Sequence, residues 1–265
     1  MKLVGFSKKK IDDKHVINAV LDVIIPNFGS KDFYFTNSAN DNLESLVEFD
    51  LNKCAMTLKS KHCLGFWKKN SINVWIDNQA HNDPFYSHPH SFVELEPLGA
   101  FAHSIEPEIW LNMAKKLIGA MEMDLTIVIG NNENLHDYWR TPLGFKIGLI
   151  KVHWIMCFGQ SYSRLIDSKR QETNFFRREE FCNGTEKAFV SARSFDLYAA
   201  LSHKLSALQR TEIGDDLFHH LPLEDRMGGA EANWIFNPKI ILRFLKSFHR
   251  QSSNNWQEYQ ARVVP

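Results

Sequence analysis

The feature that most constrains the fold is a helical repeat of apolar residues that alternates with short strand-like runs. The first repeat predicts a helix over about residues 12–25, which Pro26 ends. A second helix begins near Pro107, which suits a first helical turn because its missing N–H is not needed there. The apolar run 125–129 then predicts a buried strand. We therefore expect a mixed α/β protein.

The first half contains three further strand-like runs, at residues 3–6, 46–51 and 72–76. With the two helices and the strand at 125–129, they give the order β-α-β-β-α-β of a ferredoxin-like unit. The loop from Gln79 to Ser104 is too long for a minimal version of that unit. We expect extra elements within it.

The second half repeats this order loosely. It predicts a strand over 147–156, a short helix over 160–168, and a strand pair across the Asn183-Gly184 turn. The two strands of that pair are 175–181 and 187–193.

Two more amphipathic helices complete the second half. The first carries Leu197, Ala200, Leu201, Leu205 and Leu208, with Asp196 as its predicted cap. The second covers residues 237–248, behind Asn237 and Pro238.

These patterns predict the domain organisation. The fold class is α/β (α+β), with two ferredoxin-like β-α-β-β-α modules packed together as an open-faced sandwich. The predicted boundaries are 1–130 for the first module, 131–146 for a linker and 147–265 for the second module.

The composition limits the classes of partner. Lys plus Arg and Asp plus Glu both number 31, so no net charge attracts a nucleic acid backbone. No apolar run approaches the length of a membrane span, and the N-terminus lacks the order of a secretory signal. We expect a cytoplasmic protein that uses neither nucleic acid nor membrane. Its four scattered cysteines predict reduced, mostly buried thiols.

The sequence contains no recognised catalytic motif. The Gly-x-Ser-x-Gly elbow of hydrolases is absent, and so are the Gly-rich loops that bind nucleotide phosphates. We therefore expect no enzymatic activity and no cofactor.

One loop offers the chemistry for an alternative. Residues 81–90 contain His81, His88 and His90, and Glu94 and Glu96 follow. Imidazoles and carboxylates bind zinc, which leaves a metal-dependent hydrolase as the alternative function. The spacing matches no motif of known geometry, and neighbouring side chains on an extended segment point apart, which favours a polar surface loop. Adjacent histidines also point in different directions, so His219 and His220 are poorly placed to share a metal ion. This favours a role as a cationic pair at the end of a helix.

Aromatic residues in polar surroundings are the candidates for partner binding. They are Tyr138 and Trp139, with Arg140 beside them, and Trp256. Tyr, Trp and Arg are the usual anchors of protein interfaces. The alternative for Trp139 is that its side chain covers the contact between the two modules.

The run from Lys151 to Tyr162, KVHWIMCFGQSY, carries a family resemblance. A Trp-containing strand that runs into a Phe-Gly turn and a short helix resembles bacterial immunity proteins of polymorphic toxin systems. The resemblance implies a mixed α/β protein that binds one cognate toxin stoichiometrically, as a monomer or homodimer. Such a toxin would be delivered by type VI or contact-dependent secretion, and inhibition would cover its active site or block a movement. A regulatory partner of another protein remains a further possibility.

Overall fold

The computed structural model describes most of the chain up to Ile213. The described residues are 1–7, 11–36, 46–78, 91–99, 101, 105–130, 151–164, 166 and 174–213. The strands are β1 (Lys2–Ser7), β2 (Phe33–Thr36), β3 (Leu46–Glu48), β4 (Cys63–Lys68), β5 (Ile72–Asp77), β6 (Ser91–Pro97), β7 (Leu125–Ile129), β8 (Ile155–Phe158), β9 (Arg177–Phe181) and β10 (Glu186–Val190). The helices are α1 (Asp13–Phe28), α2 (Leu51–Lys61), α3 (Pro107–Met121), α4 (Gln160–Ser163) and α5 (Phe195–Ile213).

The ten strands in the described part of the chain belong to one sheet. Their order is β3-β2-β4-β5-β6-β1-β7-β8-β10-β9, and every neighbouring pair is antiparallel. The mixed α/β class is thereby confirmed.

One side of the sheet is covered by α1, α2 and α3. The apolar stripe of α1, which includes Ile17 and Ile24, packs with Trp110 of α3 and Leu58 of α2 against inward residues such as Phe66. These side chains have almost no exposed surface. This packing forms the larger core and fixes which side chains of each strand face the helices.

A second core lies on the opposite side of the sheet, over β1, β7, β8 and β10. Val4, Ile127 and Phe189 project into it, and Phe175 and Ile213 cover them. Among the described residues, this second core covers the half of the sheet that runs from β1 to β10, and it reaches β6 only at Phe92.

The α1 boundaries differ slightly from the prediction. Asp12 caps the helix, because its side chain accepts a hydrogen bond of 2.9 Å from the His15 backbone N–H. The helix does not end at Pro26 but continues to Phe28. A proline in the last turn removes only one backbone hydrogen bond, and Gly29, with φ of 75°, ends the helix instead.

The first half contains elements that were not predicted. The strand predicted over 46–51 ends at Glu48, since Asp50 caps α2 by accepting hydrogen bonds from the next turn. Strands β2 and β4 were also missed, and β6 lies within the predicted loop 79–104. The run from β1 to β4 does follow β-α-β-β-α-β, but other segments build it, and β1 pairs with β6 and β7. The ferredoxin-like modules are therefore not confirmed.

The second half follows the predicted order with shifted bounds. Strand β8 begins at Ile155, and the described helix α4 covers only 160–163 of the predicted 160–168. Strands β9 and β10 are joined through the predicted Asn183-Gly184 turn, in which Asn183 has a positive φ of 59°.

The prediction for α5 is wrong in two respects. Ser194, rather than Asp196, accepts a hydrogen bond from the Leu197 backbone N–H at the start of the helix. The predicted apolar face is partly outward, because Leu197 is 45% exposed and Leu208 is 55% exposed. Tyr198, Gln209, Glu212 and Ile213 are buried instead.

The division into two domains stays a prediction. Strands β7 and β8, which flank the predicted linker, pair with each other within the single sheet. Residues 131–146 and the predicted helix 237–248 lie outside the described residues.

The four cysteines are free thiols, as expected. Cys54 and Cys157 are buried, and burial raises the pKa of each thiol to about 12. Cys63 is half-buried, and Cys182 is exposed in the turn between β9 and β10. The expectation of burial therefore holds for two of the four.

Candidate functional site

The candidate site is the side of the sheet that lies opposite α1, α2 and α3, on strands β2, β4, β5 and β6. Leu64, Phe66, Val74 and Leu95 point from these strands into the larger core. Because side chains alternate along a strand, their neighbours point to the opposite side. We call this surface the aromatic face and define it by Tyr34, Trp67, Asn73, Trp75, Glu94 and Glu96.

Three aromatic rings occupy adjacent strands of this face. Tyr34 lies opposite Trp67 in the register of β2 and β4, and Trp67 lies diagonal to Trp75 across β4 and β5. Trp75 is 37% exposed and Tyr34 is 36% exposed, whereas Trp67 is half-buried. The rings therefore form a partly solvated apolar surface of the kind that anchors protein contacts.

Gly65 holds the Trp75 ring against the sheet. The two residues are paired across β4 and β5, and a Cβ at position 65 would lie 3.1 Å from the Cε3 and Cζ3 atoms of the indole. The absence of a side chain at Gly65 lets the ring lie directly on the strand.

Polar side chains adjoin the rings on β6 and β1. Lys2 donates a hydrogen bond of 3.2 Å to Glu94, and Asn73 donates one of 3.4 Å to Glu96. Desolvation raises the pKa of Glu94, although the Lys2 ammonium opposes that shift. The carboxylates are thus oriented by neighbours on adjacent strands while they remain half-exposed.

The chemistry of this face is suited to binding. Its rings provide apolar contact, and its amide and carboxylate groups provide hydrogen bonds and charge. The described part of the chain holds no group of three or more His, Cys, Asp or Glu side chains placed to bind a metal ion. In the described parts of the chain, every helix is too short or too polar to span a bilayer.

Tyr138, Trp139, Arg140 and Trp256 lie outside the described residues, and so do segments 81–90 and 219–220. Glu94 and Glu96, named for the alternative metal site, lie on the aromatic face with Lys2 and Asn73 as partners.

Sequence reasoning missed Trp75 as a surface residue, although the signal was present. In the predicted strand 72–76, Trp75 shares the parity of the polar Asn73, whereas Ile72, Val74 and Ile76 have the other parity. The two residues therefore had to share a side of the sheet.

The segment that carries the family resemblance is largely core. Trp154 is buried, its indole N–H donates a hydrogen bond of 2.8 Å to the Ala192 carbonyl, and its ring packs edge-on against Phe195. Gly159 follows β8 and approaches the backbone of residues 123–124 closely. These residues support the fold and do not contribute to the aromatic face.

Comparisons with known proteins found structural similarity but no sequence match. No protein-family model matches the sequence, and no curated protein matches it. A solved structure described as the Pseudomonas aeruginosa T6SS protein PA0821 is similar with a TM-score of 0.49 and 11% sequence identity. The alignment covers 96% of this chain and 85% of that chain.

Proposed function

We propose that this protein is an immunity protein that binds a cognate antibacterial toxin and neutralises it by stoichiometric contact. The observation that carries the proposal is the aromatic face, where Trp75, Trp67 and Tyr34 present partly exposed rings beside oriented polar groups. Trp and Tyr are enriched among the residues that dominate binding energy in protein interfaces.

The construction of the face favours binding to a macromolecule. Gly65 leaves room for the Trp75 ring on the strand, and an aromatic side chain with two rotatable bonds loses little conformational entropy when a partner covers it. The face spans several strands of a rigid sheet, which suits a flat protein surface better than a small ligand that needs a concave pocket. A stable complex would bury about 1,600 Å² in total.

The biological setting of the proposal comes from the sequence resemblance. The run Lys151 to Tyr162 resembles immunity proteins of polymorphic toxin systems, which act in the cytoplasm of the cell that they protect. The partner would be a toxin delivered by type VI or contact-dependent secretion. Binding would cover its active site or block a movement that it needs, without turnover and without a cofactor.

Co-expression with the protein encoded directly upstream tests the proposal. We expect the wild-type chain to restore growth of cells that express that protein, and the two to co-purify. Trp75→Ala should reduce both effects, because it removes the most exposed of the three rings of the face. Met56→Ala is the matched control, since Met56 is 71% exposed on α2, on the helix side of the sheet.

Two results would contradict the proposal. One is failure of the wild-type chain both to protect cells and to co-purify with the upstream protein. The other is a stoichiometric transition metal in the purified protein that is lost on substitution of His88 and His90, which would support the metal-dependent hydrolase instead.

A further inference from the structure

The charge on the aromatic face and on its border is one-sided. Glu94 and Glu96 lie on β6, and the exposed Glu48 lies opposite Tyr34 across β3 and β2. Two cationic groups of the described residues lie near these three carboxylates: Lys2 binds Glu94, and the N-terminal ammonium of Met1 interacts with Glu96. The chain as a whole is balanced, with 31 basic and 31 acidic residues. The negative excess is therefore a property of this surface.

A partner must compensate these carboxylates when it covers them. Removing an ionised carboxylate from water is costly unless an opposite charge or hydrogen-bond donors replace the lost hydration. Glu94 is already partly desolvated, which raises its pKa, and it has one cationic neighbour in Lys2. An anionic partner would add repulsion to this cost, which argues against a nucleic acid backbone or an acidic membrane surface.

The register places an indole directly beside a carboxylate. Trp75 on β5 is paired with Glu94 on β6, and Asn73 is paired with Glu96 one step further along the same two strands. Directly opposed side chains on neighbouring strands lie about 5 Å apart at Cβ. A guanidinium group stacks on indole and also binds carboxylates through its planar donors. One arginine can therefore engage the ring and a carboxylate together.

We propose that the aromatic face binds a cationic protein surface whose central contact is an arginine placed against Trp75 and the β6 carboxylates. The inference rests on the proposed function and names the chemistry of the toxin surface that this face recognises. The arginine packs on the indole, and further basic side chains of the toxin pair with Glu48 and Glu96.

Calorimetric titration of the upstream-encoded toxin at low and high salt tests the inference. We expect the Kd to weaken about tenfold between about 50 and about 500 mM NaCl, because salt screens exposed charge pairs. The double variant Glu48→Gln and Glu96→Gln should weaken the Kd about tenfold at low salt and lose most of the salt dependence. Glutamine preserves side-chain size, so folding should be unaffected, and the urea midpoint verifies this.

A matched control separates a local effect from a general one. Asp22→Asn removes one exposed acid from α1, on the helix side of the sheet, and should leave the Kd unchanged. Tight binding that neither salt nor the double variant alters would overturn the cationic surface while leaving the immunity function standing. Absence of binding by the wild-type protein would overturn both.

Discussion

Gly159→Ala tests a close backbone approach between the end of β8 and residues 123–124. A Cβ at position 159 would overlap the Met123 carbonyl oxygen and lie 3.3 Å from the Asp124 Cα. Non-bonded heavy atoms normally rest about 3.5 Å apart, so the two segments would have to separate by more than about 1 Å. The Gly159 N–H also donates a hydrogen bond of 2.9 Å to the Asp124 carbonyl, which this movement would break.

The expected loss follows from these two effects. Overpacking of a well-packed region costs about 1 to 3 kcal/mol, and a lost hydrogen bond costs about 1 kcal/mol. We therefore expect Gly159→Ala to lower the free energy of unfolding by about 2 to 4 kcal/mol. Urea denaturation followed by tryptophan fluorescence measures this value.

Gly119→Ala is the matched control and should have the opposite sign. Gly119 lies in α3, where an added Cβ would meet the Cys182 Sγ at 3.7 Å, which is an ordinary contact. Alanine is favoured over glycine in a helix by about 0.5 to 1 kcal/mol, so this variant should be slightly more stable. Equal effects of the two substitutions, or a Gly159→Ala variant as stable as the parent, would refute the reasoning.

Two further predictions concern buried titratable groups. Burial lowers the pKa of His153 to about 3, so the folded protein keeps it neutral while the unfolded chain protonates it near pH 6.5. The free energy of unfolding should be highest above that pH and should fall towards pH 3 by up to about 1.4 kcal/mol per pH unit. The urea midpoint measured against pH checks this. Equal slopes for the wild type and for His153→Gln would contradict it. Under native conditions a thiol reagent should label Cys182 but not Cys54 or Cys157 by mass spectrometry, and equally rapid labelling of Cys157 would show that burial does not protect it.

The sequence predicted the elements whose apolar pattern was strong. In α3, Trp110, Met113 and Leu117 recur at helical spacing after Pro107, and all three side chains are buried. Helix α2 was missed because its buried residues are only Cys54 and Leu58, among many lysine and polar residues. A helix that rests on one side of a sheet needs few apolar positions, and such a short pattern is easily mistaken for a continuation of the preceding strand.

Strand β6 shows why part of the candidate site was overlooked. Val93 and Leu95 point into the larger core while Glu94 and Glu96 point away, which is the alternation of a half-buried strand. The sequence interpretation assigned both carboxylates to a polar surface loop, with metal binding as the alternative, and it did not predict a strand there. Strand β6 pairs with β1 and β5, which are distant from each other in sequence. The local apolar pattern of a strand does not reveal its pairing partners.

The face of α5 was predicted incorrectly for a related reason. Its leucines give the stronger helical pattern, but Gln209 and Glu212 are buried because each forms hydrogen bonds with neighbouring segments of the same chain. Gln209 donates to the Asn174 and Ser191 carbonyls, and Glu212 accepts from the Asn174 backbone N–H at 2.8 Å. Satisfied hydrogen bonds allow polar side chains to be buried, and hydrophobic periodicity cannot anticipate them.

A structure of the complex with the toxin that we propose as the partner is the decisive test of the aromatic face. Trp75, which is 37% exposed in the free protein, should lie beneath the toxin and lose nearly all of its exposed surface. A toxin bound on the side of the sheet that α1, α2 and α3 cover, with Trp75 as exposed as before, would contradict the assignment of the aromatic face.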